Sequence, residues 1–352
     1  MDRISEDLSR WKRLIDDHVR AYYAQELERR DYTSSFYRKV HEAISDYSMR
    51  GKRLRSLLML IGFIGTKGSF SEDDLERLMD VCVGIELLHS QFLIHDDIVD
   101  RDDYRRGGAS MHNRLEEIVP RGAVNERDFA IVVGDIVMAQ SCYALSMADI
   151  PPGRMRVVRR VMAEAMVETN IGKLYDLLDI NRSIERVEFE HVLFVMTYRT
   201  SRYTIQMPLA VGAAIAGSDH HQSRFEELAN LLGTAFHLHH DLSHLDDGTA
   251  SQIRRDIREN KKTVLLKWLY EACDRDEQEF LYKLMGTKPA TEDYHRVLGL
   301  LKSHGIIDRA DQYINELLTD AEKEIERLEL TASGTEYLRY IMRALAGQEH
   351  IA

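Results

Sequence analysis

Proline and cysteine are both scarce in this chain of 352 residues, with five of the first and three of the second. The prolines (Pro120, Pro151, Pro152, Pro208, Pro289) are scattered, and no Gly/Ser/Pro-rich linker or low-complexity block parts one half from the other. One continuous domain over 1–352 is therefore expected. Cys82, Cys142 and Cys273 are odd in number, far apart and outside any C-x-x-C spacing, which excludes a disulfide framework and a zinc ribbon and predicts reduced core residues of a cytoplasmic protein. An excess of basic charge is also lacking. Lys and Arg number 47 against 59 Asp and Glu, a net charge of −12, so no nucleic-acid partner is expected. Long apolar runs are missing too: the longest, 57–64 and 131–139, fall short of the ~20 residues that span a bilayer. The charged start MDRISEDLSRWKRLIDD lacks the apolar stretch of a signal peptide. No transmembrane segment and no export are expected.

Strand-like alternation is hard to find, whereas helical spacing is everywhere. Leu8, Trp11, Leu14, Ile15 and Val19 repeat at three and four; so do Leu75, Leu78, Met79, Cys82, Val83, Ile85 and Leu88, and Leu281, Leu284 and Met285. The pattern predicts an all-α bundle of roughly ten to fourteen helices, given a mean length of about a dozen residues. Turn chemistry divides them at 66–71, 106–109, 149–154, 217–221, 246–251, 286–291 and 331–335. The stretches 131–145 and 204–216 are apolar nearly all round, which predicts central, buried helices.

Chemistry concentrates in a few places. In ELLHSQFLIHDDIVDRDDYRRGG, Asp96 and Asp100 stand four apart and share a helical face, with Asp97 beside them. Like charges at that spacing destabilise a bare helix, and a hard divalent cation reverses the sign. The competing reading is an acidic solvated face. Apolar Phe92, Leu93 and Ile94 precede the motif, however, and Arg105, Arg106 and Gly107 follow it, an alternation suited to a metal-bound polyphosphate. His89, seven residues before Asp96, lies two turns away on the same face. A second basic cluster, GKRLRS, sets Lys52 and Arg55 three apart at a helix start, where an anion is favoured. YRTSRY (198–203) and DIRENKKT (256–263) add further cations and hydroxyls. In AFHLHHDLSH (235–244), His237, His240, Asp241 and His244 fall on one helical face. Imidazoles suit a transition metal, but the same residues also suit a polar pocket wall.

In order and spacing these motifs resemble the trans-isoprenyl diphosphate synthases, the polyprenyl synthetase family. The family pattern G-K-R-x-R is matched by Gly51 to Arg55; E-L-x-H and H-D-D-x-x-D by Glu86 to His89 and His95 to Asp100; R-R-G by Arg105 to Gly107; G-D by Gly134-Asp135; and K-T by Arg199-Thr200. F-Q-x-x-D-D-x-x-D is matched by Phe236, His237, His240, Asp241 and His244, and the last motif by Asp256 through Lys261 to Thr263. The resemblance implies the isoprenoid-synthase fold around a central cavity, a homodimer, and Mg²⁺ ions. It places metal on Asp96, Asp97, Asp100 and Asp241, with His240 and His244 as further candidates, and Mn²⁺ or another divalent ion as an alternative at the second motif. It assigns Lys52, Arg55, His89 and Arg106 to isopentenyl diphosphate, and Arg105, Arg199, Thr200 and Lys261, with Phe236 and His237, to the allylic diphosphate.

The second motif departs from the family: two of its aspartates are His240 and His244, its glutamine is His237, and the lysine of K-T is Arg199. The expected activity is condensation of isopentenyl diphosphate with an allylic diphosphate. Two other readings stay open: a divergent enzyme on the same fold, a terpene cyclase or a prenyltransferase with irregular products or another acceptor, and a weakly active regulatory subunit of a heteromeric synthase. Phe92 lies one turn below Asp96 and Leu88 one turn further, so a tail growing along that face meets a phenyl early and a C15 or C20 product is expected.

Overall fold

The computed structural model describes residues 3–30, 34–68, 70–119, 122, 124–218, 222–243, 245 and 251–347. Among these, helix dominates and the one sheet is a hairpin of two-residue strands, β1 (Tyr104–Arg105) and β2 (Gly108–Ala109). Two compact units divide the chain. One is drawn mainly from Met1–Ile64 and Ser69–Arg154, the other from Gly65–Gly68 and Met155–His350.

The first unit holds α1 (Arg3–Arg29), α2 (Ser35–Ser48), most of α3 (Leu54–Lys67), α4 (Glu72–Asp100), the hairpin, α5 (Met111–Glu116) and α6 (Glu126–Met147). The apolar spacing holds at α1, which buries Leu8, Trp11, Ile15 and Val19. It holds again at α4, where every residue of the predicted set from Leu75 to Leu88 is buried. A capping box between Ser71 and Asp74 starts α4, and three acids in its first turn suit the positive end of the helix dipole. It ends where Arg101 turns left-handed at φ 57°. Asn125 and Asp128 start α6 in the same way.

The second unit holds the rest of α7 (Pro152–Asp179), then α8 (Phe189–Met196), a π-helical stretch (Thr197–Gln206), α9 (Met207–Ala216), α10 (Gln222–Ser243), α11 (Ser251–Arg258), α12 (Val264–Ala272), α13 (Arg275–Leu284), α14 (Thr291–Ser303), α15 (Ile306–Arg327) and α16 (Ala332–Leu345). Its core gathers Leu265, Trp268, Leu269, Val297, Leu301 and Ala310 around α12, α14 and α15. The sixteen α-helices among the described residues exceed the expected range because α5, α8, α11 and α12 run to only six to nine residues.

Three expectations are corrected. The stretch 331–335 is a helix start rather than a turn, since Thr331 caps α16 by accepting from the Gly334 amide. Cys142 is exposed, unlike buried Cys82 and Cys273. The helix at 131–145 is not buried all round: Ile131, Val132 and Tyr143 on α6 are 46%, 57% and 41% exposed, and Met147 continues the same face. By contrast 207–214 is wholly buried as expected. α4 and α6 are also long and apolar enough to cross a membrane, because their apolar residues are spread along whole helices rather than held in one run, but 78% of the apolar window of α4 is buried inside the protein.

Candidate active site

In the first unit the C-terminal half of α4, the residues 50–55 and the hairpin come together. His89 is the centre of a cationic cluster. Its Nε2 lies 3.0 Å from Arg55 Nη1 and 2.6 Å from Arg106 Nη2. Burial first, and then the charges of Arg55 and Arg106, hold its pKa well below the ordinary 6.5, so the ring is neutral and its nitrogen accepts from both guanidiniums. Two guanidiniums converge on one neutral acceptor, an arrangement suited to an anion. Gly51 lets the Arg106 guanidinium approach the backbone: a Cβ there would stand 2.8 Å from Arg106 Nη1, and the arginine would have to shift. Arg106 and Gly107 both take left-handed backbone, at φ 51° and 72°, to turn the hairpin.

The aspartates divide their work. Asp97 is fully buried, accepting from Tyr47 Oη at 2.9 Å and from Arg105 Nε at 2.6 Å. Burial raises its pKa to about 6 against the opposing pull of Arg105 and the Tyr47 hydrogen bond. Arg105 Nη2 donates to Asp102 at 2.9 Å and stands 3.8 Å from Asp96. Asp97 and Asp102 thus aim Arg105 beside Asp96. Asp96 itself is half-buried and Asp100 is buried. Lys52, three residues before Arg55, is exposed. Its neighbour Arg53 is core, bonded to Asp16 at 2.7 Å, Ser48 O at 2.8 Å and Glu86 at 3.2 Å. Ser56 donates to Glu86 at 2.7 Å. Phe92 is half-buried on the face of α4 that carries Asp96, and Leu88 is fully buried.

In the second unit the centre is a residue that motif spacing missed. Asp176 on α7 accepts from Arg199 Nη1 at 2.9 Å and from Lys261 Nζ at 2.8 Å through one oxygen, with Lys173 Nζ 3.9 Å away. Burial works against its charge, but Arg199 and Lys261 outweigh burial and leave its pKa below the ordinary carboxylate value. A carboxylate on a part-buried helix was the available signal, but its partners lie 23 and 85 residues on. Arg199 and Thr200 ride on the π-helical stretch, whose wide turns press against two glycines. A Cβ on Gly172 would stand 2.4 Å from the Arg199 backbone nitrogen, and one on Gly233 would stand 2.0 Å from Ser201 Oγ. Such turns recur at functional sites. Arg202 secures the stretch by bonding Glu168 at 2.6 Å, pairing with Glu226 and stacking on Tyr198 at 4.3 Å.

The histidine-rich end of α10 is less uniform than its spacing suggests. His237 has its pKa lowered to about 4 by desolvation, with Arg199 adding to the effect, so it is neutral, and its Nε2 is buried with no hydrogen-bond partner among the described residues. His240 is about half exposed, with Nδ1 3.8 Å from Asp241 Oδ1, and the Phe236 ring packs 5.9 Å from His237. His239 turns away towards Gly347. His244 lies outside the described residues. Asp256 on α11 is buried, and burial followed by the Asp241 charge raises its pKa well above normal. Lys261 and Arg255 oppose that rise.

Among the described residues no three of these carboxylates and imidazoles lie close enough to cage an ion. That donor set still fits magnesium, a hard cation that takes one or two carboxylate oxygens and completes its shell with water and phosphate oxygens. The all-α fold, with acidic residues beside gathered cations in each unit, defines a protein of the isoprenoid-synthase fold. The polyprenyl synthetase model matches residues 38–300, and the chain belongs to that family. A geranylgeranyl diphosphate synthase of Sulfolobus acidocaldarius is 25% identical over 88% of this chain and 92% of its own. A farnesyl diphosphate synthase of Geobacillus stearothermophilus is 29% identical over 62% of this chain and 70% of its own. The structure of a geranylgeranyl pyrophosphate synthase from Corynebacterium glutamicum, complexed with isoprenyl diphosphate and magnesium, superposes with a TM-score of 0.85 at 22% identity, covering 99% of this chain and all of that one.

Proposed function

We propose that the chain is a short-chain prenyl diphosphate synthase that joins isopentenyl diphosphate to an allylic diphosphate and makes a C15 to C20 product. The observation that carries the reading is that each unit gathers two cations on one side chain: Arg55 and Arg106 on His89, Arg199 and Lys261 on Asp176. Such pairs cost energy to assemble and are relieved by a polyanion. The whole chain, 1–352, acts as one catalytic domain, since the family match runs through both units.

Arg55, His89 and Arg106 take the diphosphate of isopentenyl diphosphate, with exposed Lys52 free to swing in. Arg105, Arg199, Thr200 and Lys261 take the allylic diphosphate, while Phe236 and the orphaned His237 nitrogen line its binding site. Asp96 and Asp100 with Asp241 would hold Mg²⁺, which when bound draws electrons into the departing diphosphate. Asp97 acts through Arg105, and Asp176 through Arg199 and Lys261; both are positioning residues. As the allylic C–O bond breaks, its electron pair leaves with diphosphate and these guanidiniums and the ammonium stabilise the developing charge. The double bond of isopentenyl diphosphate then attacks the allylic carbon, a C–C bond forms, and the proton lost from the adjacent carbon goes to the released diphosphate. An imidazole at His240 stands where the family pattern has an aspartate, so one carboxylate ligand is missing and Mn²⁺ or another softer ion competes with Mg²⁺ there.

The exposed apolar face of α6 (Ile131, Val132, Tyr143, Met147) supports a homodimer, because a second copy covers such a face with its own. A soluble cytoplasmic enzyme follows from the same reading. Incubation of the protein with radiolabelled isopentenyl diphosphate and geranyl diphosphate in Mg²⁺ tests the activity: label should pass into an acid-labile allylic product, and label that stays in isopentenyl diphosphate would contradict it.

A further inference from the structure

Outside both cationic clusters, three helix ends of the second unit converge. Cys273 caps the C-terminus of α12, Glu277 stands in the first turn of α13, and His304 caps the C-terminus of α14. The Cys273 sulfur, a Glu277 carboxylate oxygen and a His304 ring nitrogen all lie within 4.8 Å of one another. His304 Nε2 is 2.8 Å from Glu277 Oε2.

Two ordinary uses of such residues fit poorly. A nucleophilic cysteine needs a lowered pKa, but burial and the Glu277 carboxylate push this thiol up to about 12. A plain N-cap needs only Asp274 and Glu277, which already close a capping box, and leaves the convergence of sulfur and imidazole on that carboxylate unexplained. One sulfur, one nitrogen and one oxygen donor is instead the mixed set that zinc accepts. A tetrahedral ion holds such atoms about 3.4 to 3.6 Å apart, so side-chain adjustments of about 1 Å close the cluster. Cys273 is buried while the Glu277 and His304 side chains keep about a quarter of their surface, 23% and 25%. That leaves an approach from solvent and room for a water ligand.

We propose that Cys273, Glu277 and His304 bind a zinc-class divalent cation, with water in the fourth position, and that this ion ties the ends of α12, α13 and α14 together. Binding forms the sulfur–metal bond as the thiol proton passes to solvent, so affinity rises with pH. The ligands span only 273–304, so this site is separate from the residues assigned to diphosphate.

Co²⁺ titration of the full chain tests the site, using a Cys142→Ser background to remove the exposed thiol. A near-ultraviolet thiolate-to-cobalt charge-transfer band should grow to one equivalent, be displaced by Zn²⁺ and ignore Mg²⁺. Cys273→Ser should abolish the band. His304→Gln, at the solvent side and safe for folding, should weaken Co²⁺ by more than the roughly tenfold lost with an outer-shell partner. Absence of the band, its survival in Cys273→Ser, or unchanged affinity in His304→Gln would overturn the proposal.

Discussion

Arg106 Nη2 meets His89 Nε2 across 2.6 Å, and that nitrogen can accept only while the ring is neutral. The unfolded chain takes up a proton as pH falls through 6.5, whereas folded His89 does not, because burial and the facing cations depress its pKa. The unfolded state then binds more protons, so stability is lost below pH 6.5. His89→Gln keeps an acceptor for the two guanidiniums but cannot be protonated. Its denaturation midpoint should fall less steeply with acid than that of the wild type; equal slopes would contradict the neutral-acceptor role.

Asp176→Asn leaves Arg199 and Lys261 facing each other without their shared carboxylate. Removing one member of a buried charge cluster costs about 3 kcal/mol of stability. The allylic-diphosphate KM should rise and kcat/KM fall about a hundredfold, as when a transition-state donor is misplaced, with Asp176→Glu recovering part of both. An unchanged KM would remove Asp176 from the site.

Product length should depend on Phe92, half-buried on the face of α4 that carries Asp96. Phe92→Ala should shift the product distribution, read by mass, beyond that of the wild type, with a stability loss below the ~3 kcal/mol of a fully buried phenyl. An unchanged distribution would mean that the tail does not run along this wall.

The apolar face of α6 predicts the oligomer. Val132 is 57% exposed, so Val132→Asp should leave the fold within about 0.5 kcal/mol of wild type. In a dimer the same change buries an unpaired carboxylate, and light scattering should find the variant monomeric at concentrations where wild type is a dimer. A monomeric wild type, or a variant that stays dimeric, would contradict the assignment.

What could be read from the chain, and what could not, follows from the range of the interactions. Helix α4, its buried face and the placing of Asp96 beside Asp97 and Asp100 rest on spacing within a few turns, so they were legible. The Arg55–His89–Arg106 cluster was legible as a set of motif residues, although neutral His89 as its centre depends on burial that no local pattern encodes. Asp176 went unseen because Lys261 reaches it across 85 residues. The π-helical stretch was equally hidden, since its width is permitted by Gly172 and Gly233 on two other helices. Helix α6 misled for another reason: apolar residues on every side predict burial, and one chain alone does not cover them all.

The most direct measurement of the central claim is the mass of the product formed from isopentenyl diphosphate and an allylic diphosphate by the purified full chain in Mg²⁺, beside Asp100→Ala as control. The account predicts a linear prenyl diphosphate of C15 to C20 from wild type and, from the control, a rate lower by at least about a hundredfold. No product in Mg²⁺, a cyclised or branched product, or full activity without the Asp100 carboxylate would contradict it.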